Sequence, residues 1–103
     1  MALELRPNCE NCDVDLSPAA TNAMICSFEC TFCSDCVSSV LDNVCPNCGG
    51  GFVPRPVRPN SDWKNGNCLA NHPASTARRH RPVDVDAHRA FAANLAAVVP
   101  SER

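Results

Sequence analysis

Residues 9–48 read CENCDVDLSPAATNAMICSFECTFCSDCVSSVLDNVCPNC. Eight cysteines fall in this stretch as four pairs: Cys9/Cys12, Cys26/Cys30, Cys33/Cys36 and Cys45/Cys48. A two-residue gap lets a tight turn aim both thiolates of a pair at one ion, and a tetrahedral structural site takes four such ligands. Eight ligands therefore predict two closed sites. The third pair starts two residues after the second ends, so these neighbours cannot readily close on one ion. The favoured assignment is cross-braced: Cys9, Cys12, Cys33 and Cys36 form site 1, and Cys26, Cys30, Cys45 and Cys48 form site 2. The sequential alternative joins Cys9/Cys12 to Cys26/Cys30 and Cys33/Cys36 to Cys45/Cys48, giving two treble-clef or ribbon sites.

This stretch is too short to fold on a hydrophobic core alone. Its apolar candidates are Met24, Ile25, Phe28, Phe32, Val37, Val40, Leu41 and Val44. Bound metal would supply much of the folding free energy, about 10–16 kcal/mol per structural zinc in small peptides. The expected cofactor is two zinc ions. Cys30-x2-Cys33-x2-Cys36 also matches the core of a ferredoxin motif, but Val40 stands where its fourth cysteine would follow. A four-thiolate site suits iron as well as zinc, so mononuclear iron is the less favoured alternative.

Disulfides are the remaining reading of such a cysteine density. The opening residues Met1 to Cys9 lack the basic segment, apolar run and cleavage site of a signal peptide, so a cytoplasmic, reducing setting is expected. The most apolar run, Leu95 to Val99, is far below the ~20 residues of a membrane span, and no membrane partner is expected.

The net charge of −2 conceals an asymmetry. Residues 1–48 carry Arg6 against seven acids, whereas residues 49–103 carry eight basic residues against four acids. Each four-thiolate zinc site would add about −2 to the acidic half.

Around the cysteines the sequence predicts a small α+β module over residues 1–51. Ala23 to Cys26 and Phe28 to Phe32 suit a hairpin, with Ile25, Phe28 and Phe32 packed about the sites. Ser34 or Asp35 can cap a helix from Cys36 to about Leu41, with Val37, Val40 and Leu41 on one face. Glycines from Gly49 on suit turns of positive φ that bring amide N–H groups to the sulfurs, with the start of a flexible linker the alternative for Gly50 and Gly51. Residues 52–82 read as a proline-rich and polar linker, since Phe52 to Pro59 favours extended polyproline backbone. Residues 83–103 read as a C-terminal amphipathic helix and tail. Asp84 or Asp86 caps that helix, which runs to about Val98 with Phe91, Leu95 and Val98 on the apolar face. It is expected to dock on the metal module or on a second subunit.

The ligand intervals resemble those of RING-type zinc domains, with Cys30 in place of the usual histidine. That resemblance implies a cross-braced fold and raises ubiquitin-ligase activity, but the match frays beyond the ligands. Asn11 replaces an aliphatic residue, residues 37–44 hold no tryptophan, Gly49 replaces a basic residue, and only Pro46 fits. The strings Arg-Pro-Asn-Cys-Glu-Asn-Cys-Asp, Met-Ile-Cys-Ser-Phe-Glu-Cys-Thr-Phe-Cys-Ser-Asp-Cys-Val and Asn-Val-Cys-Pro-Asn-Cys-Gly-Gly-Gly-Phe-Val-Pro-Arg-Pro resemble a family of small bacterial cysteine-rich proteins of unknown function. This second resemblance covers residues 5–59, implies a bacterial cytoplasmic protein, and supplies no activity.

No catalytic residues are assigned. Closed four-cysteine sites leave no position for water, and the module has no thiolate to spare. Cys68 with His72, His80 and His88 is read as a free thiol with surface histidines. A protein partner is expected, making the chain an interaction adaptor. The alternative is nucleic acid held by Arg55, Arg58, Lys64, Arg78, Arg79 and Arg81, against which stand an acidic module and few aromatic residues.

Overall fold

The computed structural model describes residues 2–103. It is a small compact α+β structure built on a three-stranded antiparallel sheet. Strand β1 (Ala23–Ile25) is central, flanked by β2 (Thr31–Cys33) and β3 (Val53–Pro54). The expected hairpin forms with Met24 opposite Phe32 and Ala23 opposite Cys33. Helix α1 (Ser34–Ser39) follows directly, and α2 (Val85–Ala92) and a 3-10 turn (Pro100–Glu102) complete the elements.

Helix α1 starts two residues earlier than the sequence suggests. Its N-cap is Cys33, with no side-chain cap bond, so neither Ser34 nor Asp35 caps it. Both lie inside the first turn, where their carbonyls accept from the Ser38 and Ser39 hydroxyls. Chain direction here is set by Cys33 and Cys36, which must turn inward together. Val37 and Leu41 are buried and Val40 packs at their edge, as their spacing predicts.

The core gathers Leu16, Ala23, Phe32, Val37, Leu41 and Phe52 among six cysteines. The rings of Phe32 and Phe52 meet edge to face, centroids 5.5 Å apart. Phe28 departs from expectation. It sits in the turn between β1 and β2 and is 70 % exposed, because the strands end before it and the turn carries its side chain outward.

The start of residues 52–82 packs on the module. Phe52 is buried, Val53–Pro54 extends the sheet at its edge, and Arg55 is only 5 % exposed. The edge position accommodates Pro54, which lacks an N–H to donate. Arg55 donates to the carbonyls of Arg6 and Ser17, at 2.8 and 2.9 Å. Arg58 donates to the carbonyls of Leu3 and His72. Proline removes donors from this segment, and the two arginines supply others from their side chains.

The C-terminal helix is shorter than predicted. Asp84 caps it by accepting from Ala87 N, but the helix ends at Ala92, and residues 93–98 continue as turns. Its inward face carries His88 and Ala92, while Phe91 stays 47 % exposed. His88 is not a surface residue: its ring nitrogen meets Leu41 O at 3.0 Å, just past the end of α1, a carbonyl that also accepts from Val44 N. The helix therefore docks on the cysteine-rich half of its own chain. Arg103 fixes the end, donating to the carbonyls of Asn43 and Gly49.

Candidate metal centre

Four cysteine-bearing loops converge beside the sheet. The first and last share one backbone design. Cys9 N bonds Val14 O and Asp13 N bonds Cys9 O, each at 2.9 Å; Cys45 N bonds Gly50 O and Gly49 N bonds Cys45 O, each at 2.8 Å. In both, the residue after the second cysteine has positive φ, 65° at Asp13 and 79° at Gly49. That conformation folds the chain back around the pair, and glycine adopts it without a Cβ penalty. The other loops come from the β1–β2 turn, closed by Glu29 at φ 65°, and from the first turn of α1.

The structure brings Cys9, Cys12, Cys33 and Cys36 together, with all four sulfurs within 4.8 Å of one another. It likewise gathers Cys26, Cys45 and Cys48. Cys30 stands outside that mutual set but beside Cys26 and Cys45. The first group joins Cys9/Cys12 to Cys33/Cys36, and the second joins Cys26 to Cys45/Cys48. Cys68 is a free thiol, buried outside both clusters and in contact with Asn71, and His72 is exposed.

The donor set fits a metal ion. Tetrahedral coordination at a metal–sulfur distance of about 2.3 Å places sulfurs about 3.8 Å apart. The Cys12 and Cys33 sulfurs are 3.7 Å apart. Burial pushes the thiols of Cys30, Cys33, Cys36 and Cys45 above their ordinary value, so ionised sulfur is costly there without a cation. Burial also opposes ionisation of Cys12, but the Val14 backbone and neighbouring thiols outweigh it and hold Cys12 below the ordinary value. A dication among these groups would deprotonate its ligands and compensate the charge. The two cysteine groups could therefore bind metal ions.

Hydrogen bonds to sulfur complete the arrangement. Backbone N–H groups of Cys12, Phe28 and Gly50 donate to Cys9, Cys26 and Cys48 at 3.5, 3.3 and 3.4 Å. Two asparagines do the same from their side chains. Asn11 Nδ2 donates to Cys36 Sγ at 3.2 Å, and Asn47 Nδ2 donates to Cys30 Sγ at 3.4 Å. Such donors disperse thiolate charge and orient the ligand. Each asparagine immediately precedes the second cysteine of its pair and reaches across to the other pair of its cluster. The repeated Cys-x-Asn-Cys spelling was the available signal for this role; read alone, Asn11 is only a departure from the RING pattern.

Of the six basic residues considered for nucleic acid, Arg55 is buried and Arg58 is spent on carbonyls. Arg78 pairs with Asp13 and Asp15 at 2.8 and 2.7 Å. Arg78, Arg79, Arg81 and Lys64 are exposed. Among the described residues no helix is long and apolar enough to cross a membrane.

Residues 2–58 match a family described as Protein of unknown function (DUF1272). The chain is 56 % identical over 80 residues to Uncharacterized protein R02474 of Rhizobium meliloti (strain 1021), covering 78 % of this chain and 88 % of that one. No solved structure matches it significantly. With more than half its length matched to that family, and both cysteine clusters inside the match, the chain belongs to the DUF1272 family.

Proposed function

We propose that this protein is a structural two-zinc module, cross-braced like a RING domain, that presents a surface to a protein partner. The observation that carries the metal reading is the mutual approach of four sulfurs within 4.8 Å at Cys9, Cys12, Cys33 and Cys36. On this reading Cys26, Cys30, Cys45 and Cys48 hold the second ion. Both sites would be closed by four thiolates, leaving no coordination position for a reacting molecule, which supports a non-enzymatic role. Zinc is preferred to iron because the ligand pattern departs from cluster-binding motifs, although one four-thiolate geometry accommodates both.

The partner reading draws support from the surface. Phe28, Val53, Val57 and Trp63 are 56–83 % exposed, and large apolar side chains in such positions favour contacts with other proteins. Commitment of Arg55, Arg58 and Arg78 to internal bonds reduces the phosphate-binding capacity that a nucleic-acid role needs.

Elemental analysis of protein purified without added metal tests the first part. Two zinc ions per colourless chain are expected, and visible charge-transfer absorption with bound iron would replace zinc. The adaptor role is tested by co-purification followed by binding with purified components. A true partner binds zinc-loaded protein and loses affinity for Phe28→Asp or Trp63→Asp; salt-sensitive binding of RNA or DNA in its place would sink the adaptor reading.

A further inference from the structure

The first metal loop is attached to more than its cysteines. Asn8, Glu10 and Asn11 face Arg79, Arg81 and Val83 in alternation. Asn8 Nδ2 donates to Arg79 O at 2.9 Å, and Arg79 N donates to Asn8 Oδ1 at 3.3 Å. Arg81 N donates to Glu10 O at 2.8 Å, and Val83 N donates to Asn11 Oδ1 at 2.9 Å. The His80 ring nitrogen lies 3.1 Å from Asn11 O. Residues 79–88 thus form a strap across the loop, held at its far end by His88 on Leu41 O.

Among the described residues, Asn11 is the one side chain that hydrogen-bonds both the strap and a candidate ligand's sulfur. Its amide nitrogen donates to Cys36 Sγ while its oxygen accepts from Val83 N. Rotating that amide by half a turn would set oxygen against sulfur and N–H against N–H, so both neighbours fix the same orientation. Asn47 makes the matching bond to Cys30 but has no such strap contact among the described residues. A metal-bound Cys36 thiolate is a much stronger acceptor than a neutral thiol. Metal at site 1 therefore locks the Asn11 amide, and the locked amide presents its oxygen to Val83.

We propose that Asn11 is a positioning residue that links metal occupancy of site 1 to docking of the strap, residues 79–88. This rests on the reading of Cys9, Cys12, Cys33 and Cys36 as metal ligands. Linkage is reciprocal: whatever factor the metal contributes to strap docking, the docked strap returns to metal retention.

The experiment uses the full chain loaded with zinc or cadmium. Three variants and a control separate the contacts: Asn11→Asp keeps an acceptor for Val83 but cannot donate to Cys36; Val83→Pro removes the strap's N–H together with the valine side chain packed on the core, and the control Val83→Ala truncates that side chain while keeping the N–H; Asn47→Asp alters site 2 alone. Metal loss from each site to a chelator, cadmium NMR of each site, and hydrogen exchange at the Arg81 amide are the readouts. Asn11→Asp should speed loss from site 1 by about 10–100-fold, the range for partners of metal ligands, and move only the site 1 cadmium resonance. It should also speed exchange at Arg81. Val83→Pro should speed loss from site 1 several-fold relative to Val83→Ala, and Asn47→Asp should leave site 1 and Arg81 as in wild type. Wild-type rates at site 1 in Val83→Pro would overturn the link even if Asn11→Asp fails to fold. Equal acceleration at both sites would also overturn it, by showing general loosening. A wild-type chain that takes up no metal would defeat the underlying reading itself, a result distinct from these.

Discussion

The two halves of this chain are held by different physics. Residues 1–51 contain both cysteine clusters and most of the buried apolar side chains, yet the hydrophobic core is small. Residues 52–103 contribute Phe52, Cys68 and Ala92 to the buried apolar set, pack Val83 against its edge, and adhere further through polar bonds. Arg55, Arg58, Arg78 and Arg103 all donate to backbone carbonyls of the first half. The first half is thus organised around thiol clusters, and the second is a wrapping tied down by guanidinium groups. Charge follows the same division, with acids concentrated where the clusters lie and bases in the wrapping.

Removing metal should break the comparison most severely. If each structural zinc contributes about 10–16 kcal/mol, chelation will unfold the first half and release the second with it. Circular dichroism should lose its structured signal on chelation and regain it with zinc. A metal-free chain that still melts cooperatively would show that the core suffices.

Arg55→Met tests the wrapping at its most buried point. Two carbonyls, of buried Arg6 and exposed Ser17, lose their donors, at a net cost of roughly 2 kcal/mol. Burial already pushes the Arg55 guanidinium below its ordinary value, with Arg58 adding to the effect. Urea titration should therefore show a lower midpoint while both metals stay bound.

Gly51→Ala is a smaller perturbation. A Cβ at Gly51 would lie 2.6 Å from Pro100 Cγ, so the turn Pro100–Glu102 must shift. The expected cost is about 1 kcal/mol, with faster hydrogen exchange at Glu102 and Arg103 and no change in metal content.

The smallest effect belongs to Glu4. Its hydrogen bond from Arg6 holds the carboxyl below the ordinary 4.5, against the opposing effect of burial. A depressed carboxylate stabilises the fold above pH 4.5, and that contribution fades as pH falls through the lowered value. Glu4→Gln should cost at most about 1 kcal/mol near neutral pH, because solvent screens the pair, and nothing at strongly acid pH. A difference between variant and parent that persists unchanged into acid would contradict the assignment.

Much of the first half was legible before folding. The hairpin and the apolar face of α1 follow from residue periodicity, and the cysteine intervals foretold two clusters. What escaped notice was polar and long-range. Nothing near Arg55 in sequence marks it for burial, since its acceptors lie 49 and 38 residues away. His88 looked like a surface residue because its partner, Leu41 O, lies 47 residues earlier, just past the end of α1. Phe28 and Phe91 looked like core because apolar character was visible, whereas the direction each side chain takes was not.

By itself, the sequence determined the chemistry of this protein: eight thiols in four pairs, placed by local turns that need only a few neighbouring residues to form. Tertiary structure decided which cysteines gather, that Asn11 and Asn47 face sulfurs, and that Phe52 and Arg55 are buried against the first half. Those outcomes depend on backbone carbonyls and buried donors that meet only after the chain has closed on itself. Local spacing encodes ligands, while their mutual placement is a property of the whole fold.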